Sequence, residues 1–192
     1  MDTTVYVHTA RDLGRTIDSK GRAHYWVGNG LVQVELHPIE YTVWKNAARM
    51  DSISKWREDS SELIKSRTKV SMDTIEQRLL SNRLLHSLEF ENEYDEGLDN
   101  IFVIRNGFSY GERGGMWVIA PHDNKTKLRL TREEFDIWIQ ASSYKSLLEI
   151  VVDVVKMKGY TIEQAIKVVS EISRKFIRVE LWTAEYLPEG DS

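Results

Sequence analysis

The sequence contains no cysteine and only three prolines among its 192 residues. Without cysteine, the chain can form neither a disulfide framework nor a metal site built on thiolates. The stretch from Met1 to Val7 has no basic region followed by an apolar run, so we predict no signal peptide. Together these absences favour a cytoplasmic protein.

Long hydrophobic runs are also missing. The most apolar stretch, residues 146–158, is interrupted by Glu149, Asp153 and Lys156. It is also shorter than the roughly 20 apolar residues that a membrane-spanning helix requires. We therefore predict that no part of the chain crosses a membrane.

Motifs that indicate catalysis or metal binding are absent too. The sequence has no Gly-x-Ser-x-Gly, no His-Glu-x-x-His and no glycine-rich phosphate loop that ends in lysine and serine or threonine. Metal-ligand spacing is likewise missing among the five histidines, which are His8, His24, His37, His86 and His122. We therefore expect no cofactor, no metal and no enzymatic activity.

A clear helical pattern is present in the second half of the chain. Apolar residues recur at steps of three and four from Ile162 to Phe176, which predicts an amphipathic helix. Thr161 and Gln164 form a capping box at its start, and Gly159 suits the left-handed end of a preceding helix. A similar capping box, Thr131 with Glu134, predicts an earlier helix that follows a strand.

A looser version of this order occupies the first half. Residues 36–44 match residues 130–138 in type and spacing at a shift of 94, so Trp44 and Trp138 are expected to be buried at equivalent positions. Further matches pair Trp26 with Trp117 and Thr74 with Thr161. In the first half we predict helices over residues 38–49, 51–67 and 72–88.

The repeat predicts an α+β fold made of two repeated β3α3 winged-helix-like modules. The first would cover residues 1–90 and the second residues 101–192. Residues 91–100 hold five acidic residues and no basic one, which is typical of a solvated linker. The alternative is an acidic wing tip, with residues 88–91 and 101–105 as the two arms of a hairpin.

The second half resembles a known family. Three strands are followed by a helix that opens with Leu-Thr-x-x-Glu-Phe-x-Ile-Trp at residues 130–138, and then by helices over residues 147–159 and 161–179. This order is similar to the PqqD-like modules, which are winged-helix-like peptide-recognition elements. The resemblance implies that a peptide or protein segment binds as an added strand beside the third strand and against the third helix. The ligand-binding residues that it implies are Lys127, Arg129, Lys167, Glu171 and Arg174.

A tandem winged helix-turn-helix that binds DNA is the alternative. Its third helices would enter the major groove, and nucleic acid would then be the partner. Against it, both halves are nearly neutral, and the segment in the place of a wing is acidic rather than basic. The oligomeric state is not predicted. The candidate DNA-binding residues are Arg78, Arg83, Lys167, Arg174 and Lys175.

Overall fold

The chain separates into two compact units, Met1–Glu91 and Asn92–Ser192. Helices and antiparallel sheets occur in both, so the fold is α+β as predicted. Within the part of the chain that is described, no helix combines the length and the apolar character needed to cross a membrane. The computed structural model describes residues 4–29, 32–50, 52–88, 98–121 and 126–187.

The first unit consists of a meander, three helices and a separate strand pair. Strands β2, β3 and β4 form the antiparallel meander, and β1 pairs with β5. The helices begin after His37, Ser52 and Ser71, whose side chains accept a hydrogen bond from a backbone N–H of the first turn. The elements are β1 (Val5–His8), β2 (Arg11–Ile17), β3 (Ala23–Gly28), β4 (Gln33–Leu36), α1 (Pro38–Ala47), α2 (Ile53–Lys65), α3 (Met72–Ser81) and β5 (Leu85–Leu88).

The second unit follows the same order of elements, with one short strand added between its first and second helices. Strands β7, β8 and β9 form its meander, and β6 pairs with both β10 and β11. The predicted capping boxes at Thr131 and Thr161 are confirmed, and Gly159 ends α5 with a left-handed φ of 70°. The elements are β6 (Ile101–Arg105), β7 (Phe108–Arg113), β8 (Met116–Ala120), β9 (Leu128–Leu130), α4 (Arg132–Gln140), β10 (Lys145–Ser146), α5 (Leu147–Lys158), α6 (Ile162–Arg178) and β11 (Trp182–Tyr186).

The predicted acidic linker is described only at its carboxyl end. Residues 91–97 lie outside the described part of the chain. Leu98 is buried in the second unit, with 1% of its surface exposed, and its carbonyl accepts the N–H of Leu148 at 3.2 Å. The packed second unit therefore begins at least three residues before β6.

One buried tryptophan anchors the first helix of each unit, and the two do so in the same way. Trp44 in α1 and Trp138 in α4 are each 2% exposed, which confirms the predicted burial. The indole N–H of Trp44 donates to the carbonyl of Leu84 at 3.1 Å, and that of Trp138 donates to the carbonyl of Leu181 at 3.4 Å. Each acceptor immediately precedes the last strand of its unit. The indole thus fixes the first helix to the turn that leads into that strand.

The third helix of the first unit is shorter than predicted. It ends at Ser81 rather than at residue 88, because Arg83 adopts a left-handed φ of 54° and residues 85–88 pair with β1. Each unit therefore has more strands than a β3α3 module.

The predicted wing hairpin is also wrong where it is described, since β6 pairs with β10 and β11. Residues 89–91 of the other arm lie outside the described part of the chain.

The sheet register corrects one of the predicted matches. Tyr25 lies opposite Leu36 in the first meander, and Trp117 lies opposite Leu130 in the second. Because Leu36 and Leu130 occupy equivalent positions, Tyr25 is the counterpart of Trp117, and the predicted match of Trp26 with Trp117 is off by one residue. In a strand, an offset of one residue moves a side chain to the opposite face.

Ring stacking gives the same correspondence. Tyr25 stacks on Tyr41 of α1 with ring centroids 4.5 Å apart, and Trp117 stacks on Phe135 of α4 at 3.7 Å. In each unit, therefore, an aromatic residue of the middle strand covers an aromatic residue of the first helix.

The third helices correspond differently from the prediction. Thr161 is the N-cap of α6, whereas Thr74 lies within α3, whose N-cap is Ser71, so the predicted match of Thr74 with Thr161 is wrong. Helix α6 has 17 residues and α3 has 10. The second unit therefore carries about two more turns of third helix than the first.

Candidate functional site

Strand β9 forms one edge of the second meander. Within the described residues it pairs with β8 alone. Leu130 is fully buried, whereas Arg129 is exposed. The main-chain N–H and C=O groups on the far side of β9 have no strand partner in the described part of the chain. An unpaired edge of this kind can accept an added strand.

A cavity of about 250 Å³ lies at the start of β9, next to the end of α6. Small-molecule sites usually measure about 300–1,000 Å³, so the cavity suits a side chain better than a cofactor. Both apolar and charged side chains line it. Pro121 is buried, and Arg178 and Glu180 are exposed. Its lining residues come from the end of β8, from β9 and the segment before it, and from the end of α6: Pro121, Thr126, Leu128, Arg178, Val179 and Glu180.

The predicted peptide-facing residues of α6 lead to this cavity. Lys167, Glu171 and Arg174 follow one another at steps of four and three, and Arg178 comes four residues later. Residues with this spacing lie on one face of an α-helix. Arg174 is half-buried and the other three are exposed. The structure therefore places the predicted face of α6 and the cavity along one stripe of the helix.

The predicted strand residues flank the cavity without lining it. Lys127 and Arg129 are exposed and alternate with Leu128 and Leu130. The ammonium of Lys127 lies over the ring of Tyr110, 4.7 Å from the ring centroid. Successive side chains of a strand point to opposite faces. Lys127 and Arg129 therefore belong to the face of the sheet opposite Leu130.

The candidate DNA-binding residues include two that are engaged in ion pairs. Arg78 binds the carboxylate of Glu40, and Lys175 binds that of Glu134. Arg83 does not lie on α3 as predicted, because the helix ends two residues earlier. The remaining two candidates, Lys167 and Arg174, belong to the face of α6 that also carries Glu171.

The carboxyl group of Glu134 is held in its ionised form. Its burial raises its pKa, but hydrogen bonds from Lys175 and from the backbone N–H of Thr131 outweigh this effect, so the pKa lies below its usual value. Near neutral pH, Glu134 therefore keeps Lys175 at the start of α4.

Sequence reasoning missed the cavity and one contact at the edge of the first meander. Pro121 and Val179 are far apart in the sequence, and neither carries a chemical signature. The missed contact joins the side chain of Arg78 to the main-chain carbonyl of Glu35 at 3.0 Å. A main-chain acceptor has no sequence signature, so the contact with Glu35 could not be predicted. The spacing of residues along α6 was the one sequence signal for part of the site.

The comparisons with known proteins give no further guide to the site. No protein-family model, no curated protein and no solved structure matches this chain. In the part of the chain that the structure describes, no group of three or more His, Asp or Glu side chains is arranged to hold a metal ion. Function must therefore be inferred from the strand edge and the surfaces around it.

Proposed function

We propose that the second unit binds an extended peptide or protein segment as an added strand along β9, beside α6. The observation that carries this proposal is the unpaired edge of β9 with a cavity next to it, formed jointly by Leu128 and the end of α6. In strand addition, main-chain hydrogen bonds supply affinity and pockets for alternate side chains supply specificity. The edge offers the first of these and the cavity the second.

We further infer that the two units are winged-helix-like copies of one module of the PqqD-like type. The common order of a meander followed by three helices supports this inference, as do the matching contacts of Trp44 and Trp138. The strand pairs β1–β5 and β6–β11 are additions to the order that the resemblance implies. In this proposal the protein recognises its partner and performs no catalysis.

A test of strand addition uses the full chain and a displayed library of random peptides. A selected peptide should perturb the amide resonances of residues 128–130 in an NMR titration. N-methylation at every second residue of that peptide removes the donors that face β9 and should weaken binding at least tenfold, because main-chain bonds provide much of the affinity. The matched control is the same peptide methylated at the intervening residues, which should bind like the parent.

Two results would contradict the proposal. One is equal binding by the two methylated peptides, since a strand offers donors to its neighbour from alternate residues only. The other is tight binding of duplex DNA with a steep dependence on salt. Contacts with 6–10 phosphates would lower a DNA affinity by about 10³–10⁵ between roughly 50 and 200 mM salt. We expect the peptide affinity to change by less than about tenfold over the same range.

A further inference from the structure

The edge of the first meander differs from that of the second. Strand β4 occupies the position in the first unit that β9 occupies in the second. One guanidinium nitrogen of Arg78, Nη2, donates to the carbonyl of Glu35 in β4 at 3.0 Å. Neighbouring strands lie only about 4.8 Å apart. The guanidinium therefore takes the place of a main-chain donor from an added strand, in the space that such a strand would need.

A second contact holds Arg78 at this edge. Its other terminal nitrogen, Nη1, donates to both carboxylate oxygens of Glu40, at 2.8 and 2.9 Å. Glu40 is fixed in turn because it accepts the backbone N–H of His37 at 2.9 Å in the capping box of α1. The planar guanidinium of arginine presents donors in several directions. One side chain can therefore bind the carboxylate and the strand carbonyl together.

Lys175 is the counterpart of Arg78 in the second unit. Each lies five residues before the left-handed residue that follows its helix, which is Arg83 in one unit and Glu180 in the other. Lys175 binds Glu134, which closes the capping box of α4 just as Glu40 closes that of α1. Among the described residues, the lysine ammonium makes no hydrogen bond to the β9 main chain. All three donors of an ammonium sit on one nitrogen, so it does not reach two separated acceptors as the two terminal nitrogens of a guanidinium do.

We propose that β4 is a second, latent strand-addition site that Arg78 closes as a latch, and that Lys175 leaves the corresponding edge, β9, open. The ligand at both edges is the main chain of an extended peptide. The inference rests on the proposed function, because it explains which of the two units carries it out. The chain as it stands binds one segment, at the second unit, and the choice between arginine and lysine at one helix position decides this.

The two side chains can be exchanged without removing either ion pair. Arg78→Lys should keep the contact with Glu40 but release the carbonyl of Glu35. Lys175→Arg should keep the contact with Glu134 and add a donor to the edge of β9. These substitutions copy what each unit already contains, so both variants should fold. Glu40→Gln is a second way to loosen Arg78, since glutamine can still accept the N–H of His37.

The experiment is an NMR titration of the full chain with the acetylated and amidated peptide Thr-Val-Thr-Val-Thr as the probe. The reporters are the amides of Glu35 in β4 and of Arg129 in β9. In the wild type only Arg129 should respond. In Arg78→Lys both should respond, with at least a tenfold gain in affinity at Glu35 and two peptides bound per chain. In Lys175→Arg the response of Arg129 should fall at least tenfold.

The outcomes separate the latch from the proposed function. If Arg129 responds in the wild type but Glu35 stays silent in both Arg78→Lys and Glu40→Gln, the latch is wrong and strand addition at β9 stands. If Arg129 never responds while Glu35 responds only in those variants, the latch is supported and the proposed function at β9 fails. Silence at both edges in every folded variant overturns both.

Discussion

Both units place a meander before three helices, and they differ at the edge of that meander. In the first unit Arg78 donates a hydrogen bond to the edge strand. In the second unit the corresponding Lys175 binds Glu134 of the α4 capping box, and a cavity lies next to β9. The shared features are those that hold each unit together. This difference falls on the surface that we propose for binding.

The first hairpin of each meander illustrates the shared part. The register shifts between Asp12 and Gly14 in β2, and between Ser109 and Glu112 in β7. The N–H of Gly14 donates to the Asp12 carboxylate at 3.0 Å, and that of Gly111 donates to the Ser109 hydroxyl at 3.2 Å. Both glycines have a positive φ, 99° and 83°, which costs other residues energy. A carboxylate and a hydroxyl thus support the same bulge.

The turn before the last strand of each unit also combines one backbone geometry with different side chains. Arg83 and Glu180 have nearly equal left-handed φ values of 54° and 58°. The carbonyl of Arg83 accepts the hydroxyl of Thr9 at 2.9 Å, and that of Glu180 accepts the side-chain amide of Asn106 at 3.0 Å. The acceptor position is the same in the two units although the donor differs. Backbone geometry is therefore a better guide to the correspondence than residue identity.

The largest expected effect tests whether the two cores are equivalent. Trp44→Ala and Trp138→Ala should each destabilise its own unit by about 3–5 kcal/mol, because each removes a buried indole and leaves a cavity. The two losses should be of similar size, because the two indoles are equally buried and make the same kind of hydrogen bond. Urea unfolding, followed through amide resonances of each unit separately, measures both. A loss several-fold larger in one unit would break the equivalence of the two helix anchors.

Different side chains lie against the indole rings of Trp44 and Trp138, and the second prediction uses this difference. The imidazole of His8 stacks on Trp44 at 4.3 Å, and its Nε2 donates to the Trp44 carbonyl at 2.6 Å. Burial lowers the pKa of His8 to about 4, and Lys45 and Arg49 add to this effect. Imidazole protonation is therefore disfavoured in the folded first unit.

The folded pKa of His8 lies below its ordinary value of 6.5. The stability that neutral His8 provides is therefore complete above pH 6.5 and is lost as the pH falls towards 4, by about 3 kcal/mol in total and about 2 kcal/mol between pH 7 and pH 5. The comparison of wild type with His8→Phe isolates this contribution in urea unfolding. The same pH dependence in the two proteins would show that the pKa of His8 does not differ between the folded and the unfolded state.

The second unit should not show this dependence. Its residue over the tryptophan is Arg105, whose guanidinium carbon lies 4.7 Å from the centroid of the Trp138 ring. Arginine stays charged throughout this pH range. The pH profile therefore distinguishes the two units through one stacked side chain.

Local chemistry explains what could be predicted from the sequence. The capping boxes at Thr131 and Thr161 specify helix starts through side chains three residues apart, and both are confirmed. The spacing of Lys167, Glu171 and Arg174 was likewise enough to place them on one face. These features depend only on neighbours along the chain.

Features that depend on distant parts of the chain were missed. The leucine-rich stretch up to residue 88 continues the pattern of α3, yet residues 85–88 form a strand because Val5–His8 is there to pair with them. The match of Trp26 with Trp117 failed because strand register is set across the sheet, here by Leu36 and Leu130. Periodicity along one segment cannot decide either question.

The smallest expected effect concerns the cavity beside β9. Asn29 follows β3 as Pro121 follows β8, and its side-chain amide donates to the carbonyl of Arg83 at 3.2 Å. Proline has no donor to offer to the corresponding carbonyl, that of Glu180. The side chain at this position therefore distinguishes the first unit from the second at the end of the third helix.

Pro121→Asn should give the second unit the contact of the first and narrow the cavity. We expect the selected peptide to bind about tenfold more weakly, which corresponds to about 1.4 kcal/mol. Pro121→Ala is the matched control, because it also removes the proline ring but brings no amide to Glu180, and it should bind within about twofold of the wild type. Equal losses in the two variants would mean that the proline ring itself, and not the open space beside Glu180, supports the peptide. Isothermal titration calorimetry with the same peptide decides between these results.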